Sequence, residues 1–315
     1  MNRLSRHFIL IILVVVLLTL PLYIKSPYIL RLVNVAAIWS IIVLGLHFVL
    51  GMTGQISIGQ GAFFGIGAYT SALLTTDMGC SFWLALPVSC LISAIFGILL
   101  GFPAIKIRTH YLALVTIGFA EIFRLVMMNW TSFTHGASGI SRIPAPSFFG
   151  ISLSNDLRYY YLVLPLFFIA VLSASLISGS NIGRAMKAIK EREVAAQSLG
   201  INVRTMKVLA FTLGAAYAGV GGSLYAHLVT YINPDSFTLA ESINALIIIL
   251  IGGIGSVAGA VVGSVVITFL PEALRFIRGY HMLFFSICLI ALMIFMPRGF
   301  IGIWDYLKGF SRGNR

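Results

Sequence analysis

Ten apolar runs, at approximately 8–24, 28–50, 53–74, 82–102, 111–128, 159–177, 208–230, 241–254, 256–274 and 282–297, constrain this chain more than any other feature. Each is long enough, or nearly so, to cross about 30 Å of hydrocarbon at about 1.5 Å per residue. Strands of a membrane barrel alternate apolar and polar residues. These runs are apolar on every face, so the expected fold is all-α: a polytopic transmembrane bundle of about ten helices. Composition points the same way. Charged residues make up 10% of the 315 and hydrophobic residues 59%, where a soluble domain carries roughly 25% charged. A disordered chain, a secreted disulfide scaffold and an ordinary cytosolic enzyme are excluded. The whole of 1–315 reads as a single transmembrane domain, with one cytoplasmic loop at about 178–207 and a cytoplasmic tail at 298–315.

The first run begins like a signal peptide, with Arg3 and Arg6 ahead of an apolar stretch. Pro21-Leu22-Tyr23-Ile24-Lys25-Ser26 follows it and offers no small-x-small cleavage site, so a retained first helix is expected. Cys80, Cys90 and Cys288 are scattered and form no CxxC, which favours packing over a disulfide or metal role. Net charge is +12. With the N-terminus inside, the inner segments 1–7, 103–110, 178–207 and 298–315 hold fourteen of the 21 Lys and Arg. That excess places both termini in the cytoplasm and reads the charge as membrane topology, not as a nucleic-acid surface.

Two runs are interrupted by glycine. Residues 51–67 carry six glycines in 17 positions, and 251–259 carry four in nine. Gly51 and Gly54 superpose on Gly252 and Gly255 at a fixed offset of 201, which hints at an internal repeat. Glycine disfavours a helix interior by about 1 kcal/mol, so each cluster needs a reason. Close helix packing is one; a broken or re-entrant segment lining a polar path is the other. For the second cluster both readings stand. In the first, Gln55, Ser57 and Gln60 beside Gly54 and Gly59 favour a lining role, because lipid-facing or purely packed surface has no use for them.

Six charges between Arg184 and Glu193 forbid a span at 181–200. Strong helix formers dominate there; Ser180 or Asn181 can cap the start, and Gly200 suits the position past the end. Ile182, Met186, Ile189, Ala196 and Leu199 form an apolar stripe. The expectation is one amphipathic cytoplasmic helix, either lying on the lipid headgroups or docking into a groove of another protein. No lysine follows a glycine, so there is no phosphate-binding GxxxxGK[ST] loop, and any ATP hydrolysis belongs to a partner.

Several ordered stretches then resemble a known family. Gly45-Leu46, Gly51 and the run from Gly54-Gln55 through Ser57, Gly59-Gln60-Gly61, Gly65 and Gly67 to Tyr69 are similar to its most recognisable stretch. Arg108…Tyr111 to Thr116, Asn129-Trp130-Thr131 to Pro144, Gly183-Arg184-Ala185…Gly200-Ile201, Leu270-Pro271-Glu272 and Pro297-Arg298-Gly299 follow its pattern. The chain resembles, over about 35–302, the permease of high-affinity branched-chain amino acid ABC importers, the LivM-like type. That resemblance implies a permease subunit without catalysis of its own, embedded in the lipid of the cell inner membrane. It also implies a second related permease subunit, two ATP-binding cassette subunits and a periplasmic substrate-binding protein as partners. ATP is bound by the partners, and no cofactor, metal or nucleic acid is expected here.

The segment 183–200 is similar to the loop that meets the ATPases, which makes Arg184, Lys187, Ile189, Glu191, Glu193, Ala196 and Gly200 the candidate coupling residues. Val194 separates Glu193 from Ala195-Ala196, a departure from the importers' Glu-Ala-Ala signature. His110 and His135 are also not features of the family. The candidate translocation path comprises Gln55, Ser57, Gln60, Gly54, Gly59 and Glu121. Glu121 and Arg124 lie three apart within a run and can pair, either as a structural bridge or as part of the path. Gly136-Ala137-Ser138-Gly139 matches the GxSG of intramembrane proteases but falls in a loop, where an outer turn explains it better. An ion-coupled secondary transporter or channel for a small polar solute is the alternative reading; it needs coupling carboxylates in the core, for which Glu121 is the clear mid-span candidate.

Overall fold

The computed structural model describes residues 17–21, 23, 26–107, 109–148, 150–275, 286–287, 289–290 and 299. Ten principal helices run through them. Helix α1 (Pro27–Leu46) continues into a π-helical turn at His47–Met52; then come α2 (Gln60–Thr76), α3 (Phe82–Lys106), α4 (Thr109–Asn129) and α5 (Asp156–Gly179). Two short helices, α6 (Asn181–Glu191) and α7 (Glu193–Ser198), precede α8 (Val203–Val229), α9 (Leu239–Gly252) and α10 (Val257–Ala273). Two-residue strands tie the loops at the end of the bundle opposite α6. Strand β1 (Ile140–Ser141) pairs antiparallel with β4 (Tyr231–Ile232), and β2 (Ser147–Phe148) with β3 (Ile151–Ser152).

Six stretches among the described residues are long and apolar enough to cross a membrane: Pro27–Met52, Phe82–Ile105, Tyr111–Asn129, Asp156–Gly179, Val203–Val229 and Pro234–Gly252. Helices α2 and α10, at 17 residues each, account for two further apolar runs. The runs at 8–24 and 282–297, the tail at 298–315 and Cys288 lie wholly or largely outside the described residues. Cys80 and Cys90 are free thiols, each partly buried.

Helix α8 is the hub, packed against α3, α2 and α1. Its glycines make that possible. A Cβ on Gly67 of α2 would run into the Gly219 backbone of α8, and one on Gly45 of α1 into the Gly214 carbonyl. Backbones that touch in this way gain dispersion contacts that lipid cannot supply. Phe64, Tyr225 and Phe237 pack edge to face in the core, with ring centroids 4.9 Å (Phe64–Phe237) and 5.1 Å (Phe64–Tyr225) apart. The perimeter is apolar instead of polar. Leu91, Ile95 and Leu99 on α3 and Leu172 and Leu176 on α5 are all exposed, which suits a lipid boundary and not water.

The far end is pinned by a buried polar knot. His227 Nδ1 lies 2.8 Å from the Pro144 carbonyl, so that nitrogen carries the proton and Nε2 accepts from the Ser71 hydroxyl at 2.9 Å. Ser71 in turn lies 2.8 Å from Ser223 Oγ. The loop before β2 is thereby fastened to α2 and α8.

The charged segment differs from the single helix expected over 181–200. Arg192 adopts an extended conformation (φ −154°, ψ 105°) and divides it into α6 and α7. Met186, Ile189 and Ala196 of the predicted stripe are buried, whereas Ile182 and Leu199 are exposed. Ser180 does cap α6, accepting from the Gly183 amide at 3.3 Å, and Gly200 takes the left-handed conformation (φ +81°) beyond α7.

Candidate functional site: a broken helix beneath an amphipathic hairpin

The glycine-rich stretch after α1 breaks the helix within the bundle. The π turn ends at Met52, residues 54–59 are non-helical, and α2 begins only at Gln60. Gly54 takes φ +70°, a conformation that other residues adopt only under strain. Breaking a helix frees backbone groups, and without water each needs a partner. The partners come from distant elements. Thr116 of α4 accepts from the Ile58 amide at 2.9 Å, and Ser242 of α9 accepts from the Gly61 amide at 2.8 Å. Ser57 Oγ accepts from the Gly59 amide at 3.4 Å. Gln60 Nε2 donates to the Ile42 carbonyl at 2.8 Å and to that of Gly214 at 3.3 Å, which joins α1, α2 and α8.

Gln55, Ser57 and Gln60 are therefore brought together at the break, all of them buried within the chain. Gly54 lies under Lys190 of α6, and Gly59 abuts Thr116, whose carbonyl a Cβ there would meet at 3.3 Å. Glu121 stands apart. It sits on the exposed side of α4 and accepts from Arg124 Nε and Nη2, the latter at 2.6 Å. Arg124 also reaches Asp235 in the far loop at 3.2 Å. The pair thus belongs to the mouth of the bundle opposite α6 and does not meet the three polar side chains of the break.

The second glycine cluster is a tight hairpin between α9 and α10. A Cβ on Gly252 would run into the Gly259 carbonyl, and one on Gly263 into that of Ile248. Ser256 caps α10 by accepting from the Gly259 amide at 3.4 Å. Close packing explains these glycines. The two breaks nonetheless adjoin, since a Cβ on Gly51 would meet the Gly255 nitrogen at 3.2 Å.

The amphipathic hairpin α6–α7 lies against both breaks. Ile189 and Ala196 pack with Val203 in a small cluster of their own. Glu193 binds the buried Lys207 of α8 at 2.8 Å. A buried cation needs such a counter-ion, so Glu193 is committed to its own chain. Lys187 Nζ donates to the Ser178 carbonyl at 3.3 Å, while Arg184 binds Asn181 at the start of α6. Glu191 and Gly200 are exposed. Three residues outside the predicted coupling set prove prominent: Lys190, which the sequence did not single out, Val194, and Leu199 of the predicted stripe. Lys190 Nζ donates to the Gly51 carbonyl at 3.0 Å, and Val194 and Leu199 stand 79% and 80% exposed. A groove of about 1160 Å³ opens between α7, α3 and the start of α8, bounded by Phe102, Glu193, Gln197, Arg204 and Val208.

Comparison with known proteins gives this geometry a family. The branched-chain amino acid transport system / permease component family matches residues 28–297. The high-affinity branched-chain amino acid transport system permease protein LivM of Escherichia coli K12 is 37% identical, over 84% of this chain and 68% of its own length. LivH of Salmonella typhimurium, described as a permease of the same transport system, is 25% identical over 86% of this chain and 93% of its own. The autoinducer 2 import system permease LsrC of Salmonella typhi is 30% identical over 62% and 57% respectively. No solved structure matches the chain. A helix broken beneath an amphipathic hairpin, in a chain with six apolar spans among its described residues, is thus found in a member of the branched-chain amino acid transport permease family.

Proposed function

We propose that this chain is the membrane-spanning permease subunit of an ABC importer in the cell inner membrane, with both termini in the cytoplasm. Branched-chain amino acids are the proposed substrates, by likeness to LivM and LivH. LsrC is a permease of an autoinducer 2 import system, so the family alone does not fix that choice. A second related permease subunit completes the path, two ATP-binding cassette subunits bind and hydrolyse ATP, and a periplasmic binding protein delivers solute.

One observation carries the reading: Val194 and Leu199 project from a segment too charged to enter lipid, while Met186, Ile189 and Ala196 of the same segment are buried. Exposed apolar side chains outside the membrane mark a docking surface. The hairpin α6–α7 is that surface, and the adjacent groove extends it. Arg184, Lys187, Ile189, Glu191, Glu193, Ala196 and Gly200 shape and orient it. The path forms at the first break, where Gln55, Ser57 and Gln60, hinged on Gly54 and Gly59, become accessible when the bundle rearranges. Glu121, paired with Arg124, lies at the outer mouth. The carboxylate that an ion-driven carrier would need in its core thus stands apart from the polar break, which weighs against that reading.

Changing Val194 and Leu199 together to Asp tests the assignment. We expect the ATPases to stop co-purifying and ATP-driven leucine uptake to fall more than about tenfold, with the melting temperature of the chain unchanged. Uptake at the unmodified rate would overturn it.

A further inference from the structure

Lysines 187 and 190 are one turn apart on α6, and each donates to a backbone carbonyl at the end of a long helix. Lys187 reaches Ser178, in the last turn of α5, at 3.3 Å. Lys190 reaches Gly51, in the π turn that closes α1, at 3.0 Å. Helix C-termini carry partial negative charge and unbonded carbonyls, so an ammonium group there makes a charge-assisted hydrogen bond. The two ends are themselves joined, for His47 Nε2 lies 3.2 Å from Ser178 Oγ, and that hydroxyl approaches Met52 Sδ at 3.4 Å.

The two grips are unequal. Lys187 is a solvent-exposed contact. Lys190 is an exposed residue, yet its bond to Gly51 is partly buried and it touches three structures at once. Its stem lies over Gly54, where a Cβ would come 3.1 Å from Lys190 Cγ. Its ammonium caps Gly51, and a Cβ on Gly255 of the second break would lie 3.9 Å from it. A π turn is a sparsely used helical state, often found where a helix must rearrange. Its closing carbonyl is held by a side chain from the one element positioned to move with a docked partner.

Resting on the reading of α6–α7 as the ATPase-docking element, we infer that Lys190 is the positioning residue that transmits movement of α6 to both glycine breaks. Displacing α6 draws the ammonium away from Gly51 or carries the π turn with it; in either case the break moves. Lys187 anchors α6 to the end of α5 and touches neither glycine break directly.

The test uses the complete transporter in proteoliposomes, with its ATPases, companion permease and binding protein, and reads leucine uptake and ATP hydrolysis together. Lys190→Met should lower the ratio of leucine taken up to ATP hydrolysed about tenfold, the scale of losing one charged hydrogen bond. Lys190→Arg, which keeps the cation, should restore most of that ratio, and Arg158→Met, which removes an exposed cation–carbonyl contact to Ser152 far from α6, should leave it within about twofold of the unmodified value. An unmodified ratio in Lys190→Met overturns the inference. So does an equal fall in Arg158→Met, or a Lys190→Met chain that fails to assemble, because the contact would then serve folding and not transmission. If the unmodified transporter itself shows no ATP-driven uptake, the failure lies with the proposed function.

Discussion

The two glycine-rich breaks lie side by side, within reach of the same lysine, yet they are built for different reasons. Around Gly252 and Gly255 the glycines let α9 and α10 meet backbone to backbone, and the one hydroxyl present, that of Ser256, caps the next helix. Between Gly51 and Gln60 the backbone is opened and held open by side chains from α4 and α9. Glycine alone therefore does not mark a path through a membrane protein. The mark is glycine together with buried polar side chains recruited to satisfy the backbone it frees. Gly54 and Gly255, the pair matched by the offset of 201, both take positive φ, while their surroundings differ.

Substitutions can separate a packed break from a polar one. The largest effect is expected from Gly252→Ala. Its methyl group would enter the Gly259 carbonyl, and moving α9 off α10 should cost about 3 kcal/mol, read as a large fall in melting temperature in detergent. An unchanged melting temperature would mean that the hairpin is looser than its contacts imply. Gln60→Leu should cost less stability, about 2 kcal/mol, by removing the donor shared by Ile42 and Gly214. If this break is the path, uptake per folded transporter should still fall several-fold. A loss no greater than the loss of folded protein would make Gln60 a purely structural residue. Thr116→Val keeps the shape but leaves the Ile58 amide without its acceptor, for roughly 1 kcal/mol. That change should be visible as faster amide exchange at Ile58, and a protected amide would count against the role given to Thr116. Ser256→Ala should have the smallest effect, about 0.5–1 kcal/mol from a lost cap, with uptake unaltered. Impaired uptake in that variant would assign function to the second break as well.

The spans were readable because a helix in lipid must be apolar all round, a constraint strong enough to survive in a single sequence. Residues 28–50, 159–177 and 208–230 each became a helix within a few residues of those bounds. The break before Gln60 was readable from glycine beside glutamine and serine. What completes it was not. Thr116 and Ser242 lie 58 and 181 residues from the amides they serve, and a lone hydroxyl in an apolar run carries no local signal. The division of α6 from α7 was hidden for a related reason: Arg192 is a good helix former, and only the Glu193–Lys207 contact and the packing of Ala196 favour the break. Lys190 looked like any solvated lysine. Its partner is a backbone carbonyl 139 residues away. Glu121 and Arg124 could be paired from their spacing, whereas Asp235, which places them at the mouth opposite α6, could not.

The central claim is that energy reaches this chain from outside, through α6–α7. The most direct measurement is leucine accumulation in proteoliposomes that hold the complete transporter, with ATP supplied or withheld and with an imposed proton or sodium gradient. The account predicts accumulation that requires ATP and ignores the gradient, and none from this chain reconstituted alone. Accumulation by the chain alone, driven by an ion gradient, would contradict it.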